Sequence, residues 1–438
     1  MKFLKTYYFI LILLANNSFC LSEGGWFQQQ SNTNVDLNKI YFLNQDTGWV
    51  VGNSGKILKT TNGGIEWISQ QSNLIYPIRS VYFLNQNTGY AVGGKYEYVD
   101  FCYVDIIKTT NGGSNWTISY SQIEFDNSAS DVTFINASTG FVTCFGGNES
   151  ESEGLIFKTT NSGVNWIRSE YNTSFISINF TNENTGFIIS NYYHDVLGDS
   201  LIIKKSNNSG NNWNSVFSMF HTRLTSLIFL NSDTGWIAGL SHAGGFGEDL
   251  ILKTTSGGVN WENMNLISNS FINSIYFSSY DTGWYCSTGI YKSVNSGANW
   301  INQVPSNGSD TYYSIFFIDN STGWSVGKNG KILKTITGGL TSVNQSSENI
   351  PFKYSLIQNY PNPFNPVTHL EFGISDLEFV SLKVYDVLGN EIKTLVNEIK
   401  SPGMYKVEFD GSNFPSGIYF YKLTAGDFYS VKKMTLLK

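Results

Sequence analysis

Ten acidic residues and a set of aromatics crowd into four short segments, 94–105, 146–154, 191–200 and 240–249, which hold one lysine between them. The candidate ligand-binding residues there are Tyr96, Tyr98, Asp100, Phe101, Tyr103, Glu149, Glu151, Glu153, Tyr192, Tyr193, His194, Asp195, His242, Glu248 and Asp249. Glu97, Asp105 and Asp199 complete the acids. Aromatic faces beside carboxylates can stack on sugars while the acids accept hydrogen bonds, and carboxylates can hold calcium through oxygen. Solvated loops that keep a chain soluble have the same composition. No segment has EF-hand spacing and no His/Cys cluster has metal spacing, so neither a metal nor a cofactor is expected.

Catalytic signals are sparse. There is no GxSxG, HExxH or phosphate-cradling loop. A sialidase needs three convergent arginines and a tyrosine nucleophile, an exception among glycosidases. The chain has three arginines in all, Arg79, Arg168 and Arg223. Arg79 and Arg223 precede innermost strands, six and eight residues before Asn85 and Asn231, so they share no register; Arg168 follows Trp166 on an outer strand. No catalytic residue is assigned. Non-catalytic binding is the first expectation, and a secreted glycan-degrading hydrolase of sialidase-like fold is the alternative. The formal charge of −7 argues against a nucleic-acid partner.

The elements that position these segments come from a repeat. Phe42, Phe83, Phe134, Phe180, Phe229, Phe277 and Phe317 each stand six residues before a glycine, and Trp49, Tyr90, Phe141, Phe187, Trp236, Trp284 and Trp324 follow those glycines. The period, about 46 residues, is that of a propeller. Each unit reads as an apolar run, a polar turn, a Thr-Gly-aromatic step, a third strand and a second turn ending in tryptophan. The second turn has fixed chemistry: Asn62-x-Gly64-x-x-Trp67, Asn111-x-Gly113-x-x-Trp116, Asn161-x-Gly163-x-x-Trp166, Asn208-x-Gly210-x-x-Trp213 and Asn295-x-Gly297-x-x-Trp300. The copy with Gly258 and Trp261 has Ser256 for Asn; the copy from Thr335 has Thr337, and Ser342 in place of tryptophan. Trp26 and the glutamines after it copy the stretch after Trp67, so the N-terminus is expected to supply the missing strand and close the ring. The expected fold is all-β: a seven-bladed β-propeller of four-stranded blades closed by the N-terminal strand, then a small β-sandwich.

These turns resemble the Asp-box, or bacterial neuraminidase repeat, with Asn mostly replacing Asp, and the whole unit resembles the photosystem II stability and assembly factor family. That resemblance implies a propeller over residues 24 to about 342 and gives no activity, because such boxes occur in enzymes and non-enzymes alike.

The ends of the chain suggest a destination. Lys2 and Lys5 precede an apolar run, Tyr7 to Ala15, with Ser18 and Cys20 at the cleavage positions of a signal peptide, too short for a stable membrane span. Domains are expected at 1–20 (signal), 21–343 (propeller), 344–353 (linker) and 354–438 (C-terminal sandwich). The motifs NYPNPFNP from Asn359, VYDVLGNEI from Val384 and FPSGIYFYKL from Phe414, with the basic tail Lys432-Lys433-Met434, closely resemble the type A C-terminal sorting domain of the type IX secretion system. The resemblance implies that the secretion machinery is a partner and that the chain passes through the periplasm to be secreted or held at the outer cell surface. The other partner, a glycan or a protein, is not identified by sequence.

Overall fold

The alternating apolar runs and turn residues form antiparallel strands throughout the computed structural model of the protein. It describes residues 21–22, 25–95, 103–123, 127–147, 152–192, 200–242, 247–264, 266, 270–306, 308–339, 354–374, 378–400, 403–426 and 428–438. The expected leader and linker lie outside these residues. The chain divides into two compact units, Met1–Thr341 and Ser342–Lys438.

Among the described residues the first unit holds seven antiparallel sheets. The first comprises Leu37–Phe42, Gly48–Gly52, Ile57–Thr60 and Ile68–Gln70 in that spatial order. The next five repeat it, starting at Ile78, Asn127, Ser174, Thr222 and Ser274. In the last, Tyr312–Phe317, Gly323–Gly327 and Ile332–Thr335 are followed by Trp26–Gln29, paired from Trp26↔Thr335 to Gln29↔Ile332. A further strand, Leu21–Ser22, pairs outside it, so this sheet has five strands where four are expected. The cause is the hairpin that brings the chain to Trp26, whose first arm lies on the free edge. The architecture is all-β and consistent with a β-propeller.

Local chemistry explains the repeat. In the first turn Asn44 Oδ1 accepts from the Thr47 amide at 2.8 Å, and Asn85, Asn136, Asn182, Asn231 and Asp319 do the same for Thr88, Thr139, Thr185, Thr234 and Thr322. The next residue is glycine because the phenylalanine six back lies flat on it: a Cβ on Gly48 would sit 2.6 Å from the Phe42 ring. In the second turn Thr60 Oγ1 accepts from the Gly64 amide at 2.8 Å, and Asn62 Oδ1 accepts from Thr60 Oγ1 and from the Glu66 amide, each at 2.9 Å. The hydroxyl is the constant element. It persists in both degenerate copies, where Thr254 and Thr335 accept from Gly258 and Gly339 at 3.1 Å.

Each aromatic after the glycine crosses to a neighbouring sheet. Trp49 stacks on Phe83 (3.4 Å between ring centroids), Tyr90 on Phe134 (4.1 Å), Phe141 on Phe180 (4.9 Å), Phe187 on Phe229 (3.6 Å), Trp236 on Phe277 (3.7 Å), Trp284 on Phe317 (3.5 Å) and Trp324 on Phe42 (3.6 Å). The turn tryptophan meets the same ring edge-on, as Trp67 does Phe42. Indole N–H groups then reach turn carbonyls: Trp49 to Gly112, Trp236 to Ser296, Trp284 to Gly338 and Trp324 to Gly63, at 2.9–3.3 Å. A lysine from the third strand caps each of these rings, Lys334 lying 5.1 Å from Trp324.

The second unit has a three-stranded sheet (Ser355–Leu356, Val367–Ile374, Gly403–Asp410) and a four-stranded one, in the order Glu391–Lys400, Glu378–Tyr385, Gly417–Ala425, Phe428–Leu436. Alternation turns Leu370 and Phe372 of the first sheet, and Leu382, Val384, Tyr421, Leu423 and Met434 of the second, into one core.

Candidate functional site

The acidic segments span the connections between the second and third strands of sheets two to five, 94–102, 148–151, 193–199 and 242–247, and the adjoining strand ends, where Asp105, Glu153, Glu248 and Asp249 open the third strands. The matching connections in the other sheets are 53–56, 287–289 and 328–331. Antiparallel pairing puts the start of each first strand at the same end, Ile78 opposite Gly93 for example.

Of the expected ligand residues, Tyr96, Tyr98, Asp100, Phe101, Glu149, Glu151, Tyr193, His194 and Asp195 lie outside the described residues. Glu153, His242 and Glu248 are exposed, and Tyr103 and Tyr192 half-buried. Asp249 is buried: its carboxylate accepts from Ser270 N–H and Oγ at 2.9 Å and from the Ile272 amide at 3.2 Å, so it ties the chain leading into the sixth sheet. Asp105 is buried as well, and burial raises its pKa against the lowering effect of the Ser121 hydroxyl, 2.6 Å away.

Two residues that sequence reasoning did not select lie beside this end. Tyr76 stacks on Tyr103, centroids 6.0 Å apart. Arg79 lies within the strand Ile78–Phe83, not ahead of it as expected, and Arg223 likewise lies within Thr222–Phe229. The Arg79 guanidinium rests over Phe145 at 5.0 Å, with Nε buried and without a hydrogen-bond partner among the described residues, and burial lowers its pKa. Arg168 pairs with Glu170 on the outer strand Ile167–Tyr171. The three guanidiniums do not converge.

A cavity of about 170 Å³ runs between the first strands. Three residues before each phenylalanine of the repeat stand Lys39, Ser80, Asp131, Ser177, Ser226, Ser274 and Ser314, a position whose common role only the alignment of repeats reveals. Asp131 accepts from Ser80 Oγ (2.7 Å), Ser177 Oγ (2.8 Å) and the Ile178 amide (3.2 Å), with Lys39 Nζ 3.9 Å away. Ser226 and Ser314 accept from the Ile275 and Ile40 amides at 3.1 and 3.4 Å. Lys39, Ser80, Asp131, Ser177, Ser226 and Ser274 line the cavity together with Tyr41, Tyr82, Tyr276 and Phe316. Burial raises the tyrosine hydroxyls, Tyr276 to about 12, so they stay protonated, and those of Tyr41 and Tyr82 donate to the Phe83 and Phe134 carbonyls. Asp131 is the one carboxylate among the described lining residues.

Residues 358–436 match the family model described as the secretion system C-terminal sorting domain, and residues 20–169 match that of the photosynthesis system II assembly factor YCF48. A solved structure of YCF48 bound to D1 peptide is 18% identical, with a TM-score of 0.55, covering 72% of this chain and 98% of its own. YCF48 from Cyanidioschyzon merolae gives 18%, 0.55, 71% and 98%, and U3-55K gives 7%, 0.50, 71% and 98%. At these identities the likeness is one of fold. No curated protein matches the chain. The two expected resemblances are thus both found: YCF48-like repeats and a type IX sorting tail. Such a tail marks a chain for export to the cell surface or for secretion. No helix among the described residues is long and apolar enough to cross a membrane.

Proposed function

We propose that the mature chain is a non-catalytic, seven-bladed propeller, closed by the strand Trp26–Gln29, that binds a glycan or protein partner through the extended connections of blades two to five. The type IX machinery engages its C-terminal domain, 354–438, and brings it through the periplasm to the outside, where it is released or held at the surface. The observation that carries the binding reading is an asymmetry among the repeats: from the glycine opening the second strand to the lysine near the end of the third, the four neighbouring stretches 89–108, 140–158, 186–205 and 235–253 hold ten acids, while the shorter stretches 48–59, 283–292 and 323–334 hold none.

The Tyr76–Tyr103 pair and the half-buried Arg79 at that end, whose Nε has no hydrogen-bond partner among the described residues, support it, since partly exposed aromatics and perturbed charges gather where ligands bind. A protein partner is supported by the YCF48 structure that holds a peptide. Hydrolysis has less support, because inverting and retaining enzymes need two carboxylates and Asp131 already spends its oxygens on four donors. A glycan and protein array probed with the purified mature chain tests the reading. Binding that is lost when Tyr76 and Tyr103 become alanine supports it; binding that is unaffected by that change moves the site elsewhere.

A further inference from the structure

The sorting domain ends in a strand whose outer edge is half covered. Phe428–Leu436 is the last strand of the four-stranded sheet and pairs on one side with Gly417–Ala425, without a bulge, from Ala425↔Phe428 to Gly417↔Leu436. Alternate residues of such a ladder turn their backbone groups away from the partner. Four bonds identify which ones: Thr435 N–H donates to Asn362 Oδ1 at 2.9 Å, Thr435 C=O accepts from Phe364 N–H at 2.9 Å, Lys433 C=O accepts from Gln358 Nε2 at 2.8 Å, and Leu437 N–H donates to Phe364 C=O at 2.9 Å. The odd-numbered residues face outward, and the strap 358–364 serves them from Lys433 onward. By the same alternation Tyr429 and Val431 also face outward, and no described residue bonds their outward groups.

Natural edge strands are usually blunted by charge, proline, a bulge or a cover. Tyr429 and Val431 are themselves uncharged and not proline, and no bulge interrupts their pairing. Their side chains are 71% and 51% exposed, and Lys422 rests over the Tyr429 ring at 5.6 Å. We infer that an extended segment of the secretion machinery adds to this edge as an extra strand, pairing with the backbone of Tyr429 and Val431 and laying an apolar side chain against them. The occupant follows from the family match, which spans both the strap and the strand in a domain whose match is to sorting. The inference rests on the export reading and adds to it the contact surface.

Proline at 429 and 431 removes the outward N–H groups and spares the ladder, because an edge strand accepts proline where its N–H faces solvent. In a bacterium with a type IX system, the full chain carrying Tyr429→Pro and Val431→Pro is compared with wild type and with a chain ending at Thr341, reading the fraction outside the cell. The expected result is retention of the truncated chain, a tenfold or greater loss of export for the double proline variant at unchanged Tm, and normal export of Val431→Ile. Export of the truncated chain would refute the export reading itself. Retention of the truncated chain with wild-type export of the proline variant would refute strand addition alone. Should proline lower the Tm, the Tyr429→Lys, Val431→Lys pair, which leaves the backbone intact, decides in its place. Normal export together with loss of self-association would assign the edge to a second copy and overturn the inference.

Discussion

Replacing Trp324 by alanine tests whether the last sheet is packed on the first as firmly as any internal pair. Trp324 is fully buried, stacks on Phe42 at 3.6 Å, donates to Gly63 at 3.3 Å and lies under Lys334. Trp236 is its internal twin, with Phe277 at 3.7 Å, Ser296 at 2.9 Å and Lys253 over the ring. Truncating a buried tryptophan costs about 3–5 kcal/mol through lost burial and the cavity left behind, and the Gly63 carbonyl keeps Gln29 Nε2 and Lys334 Nζ as donors, so burial dominates the loss at Trp324. If the ring is closed, both variants lose about the same amount; if the first and last sheets were free ends, the Trp324 site would be solvated and its loss would fall to about 1 kcal/mol or less. Urea unfolding of the mature chain, followed by far-ultraviolet circular dichroism, gives both values. Trp236→Ala costing at least 3 kcal/mol while Trp324→Ala stays near wild type would refute the reasoning.

Gly283→Ala should cost about 1–3 kcal/mol by overpacking, since its Cβ would lie 2.5 Å from the Phe277 ring, and Phe277→Leu in the same chain should recover part of that loss in urea unfolding. Thr60→Val should cost about 1–3 kcal/mol by leaving the Gly64 amide unpaired inside the turn, whereas Thr60→Ser should be close to neutral, as Ser206 and Ser293 already hold that position. Burial lowers the Lys292 pKa to about 8 from an unfolded value near 10.5, so its charged form is disfavoured in the folded state; stability should rise as pH climbs from about 8 toward 10.5, and Lys292→Met should remove that rise in thermal melts across the range. Arg79→Met removes a partly desolvated charge and its unbonded Nε while keeping apolar contact with Phe145, so the Tm should hold or increase while ligand binding measured by calorimetry falls; a lower Tm with unchanged binding would make Arg79 structural.

Much of the fold was legible because its determinants are local. The glycine under each phenylalanine, the asparagines of both turns and the copy of a strand around Trp26 repeat at fixed spacing, and the strands appear where that pattern puts them. The hydroxyl of Thr60 and its equivalents was visible but undervalued, since in sequence the asparagine stands out while in the turn the hydroxyl is what every copy keeps. The candidate site was less legible. Asp249 reads as one more rim acid, yet its partners are amides twenty residues on, and only tertiary structure turns it inward. Tyr76 and Arg79 lie outside the acidic segments and acquire meaning from Tyr103 and Phe145, which other strands supply. The polar ring from Lys39 to Ser314 is present in the register, but mixed residue types hide a shared position until the first strands are set side by side.

The most direct test of the account is the affinity of an identified ligand for two forms of the mature chain, the natural one and one in which connections 94–102, 193–199 and 242–247 are each replaced by the short connection 53–56 and Glu149 and Glu151 become glutamine. The account predicts that the shortened form keeps its Tm and loses at least tenfold in affinity by calorimetry. Undiminished affinity in a stably folded, shortened chain would contradict it.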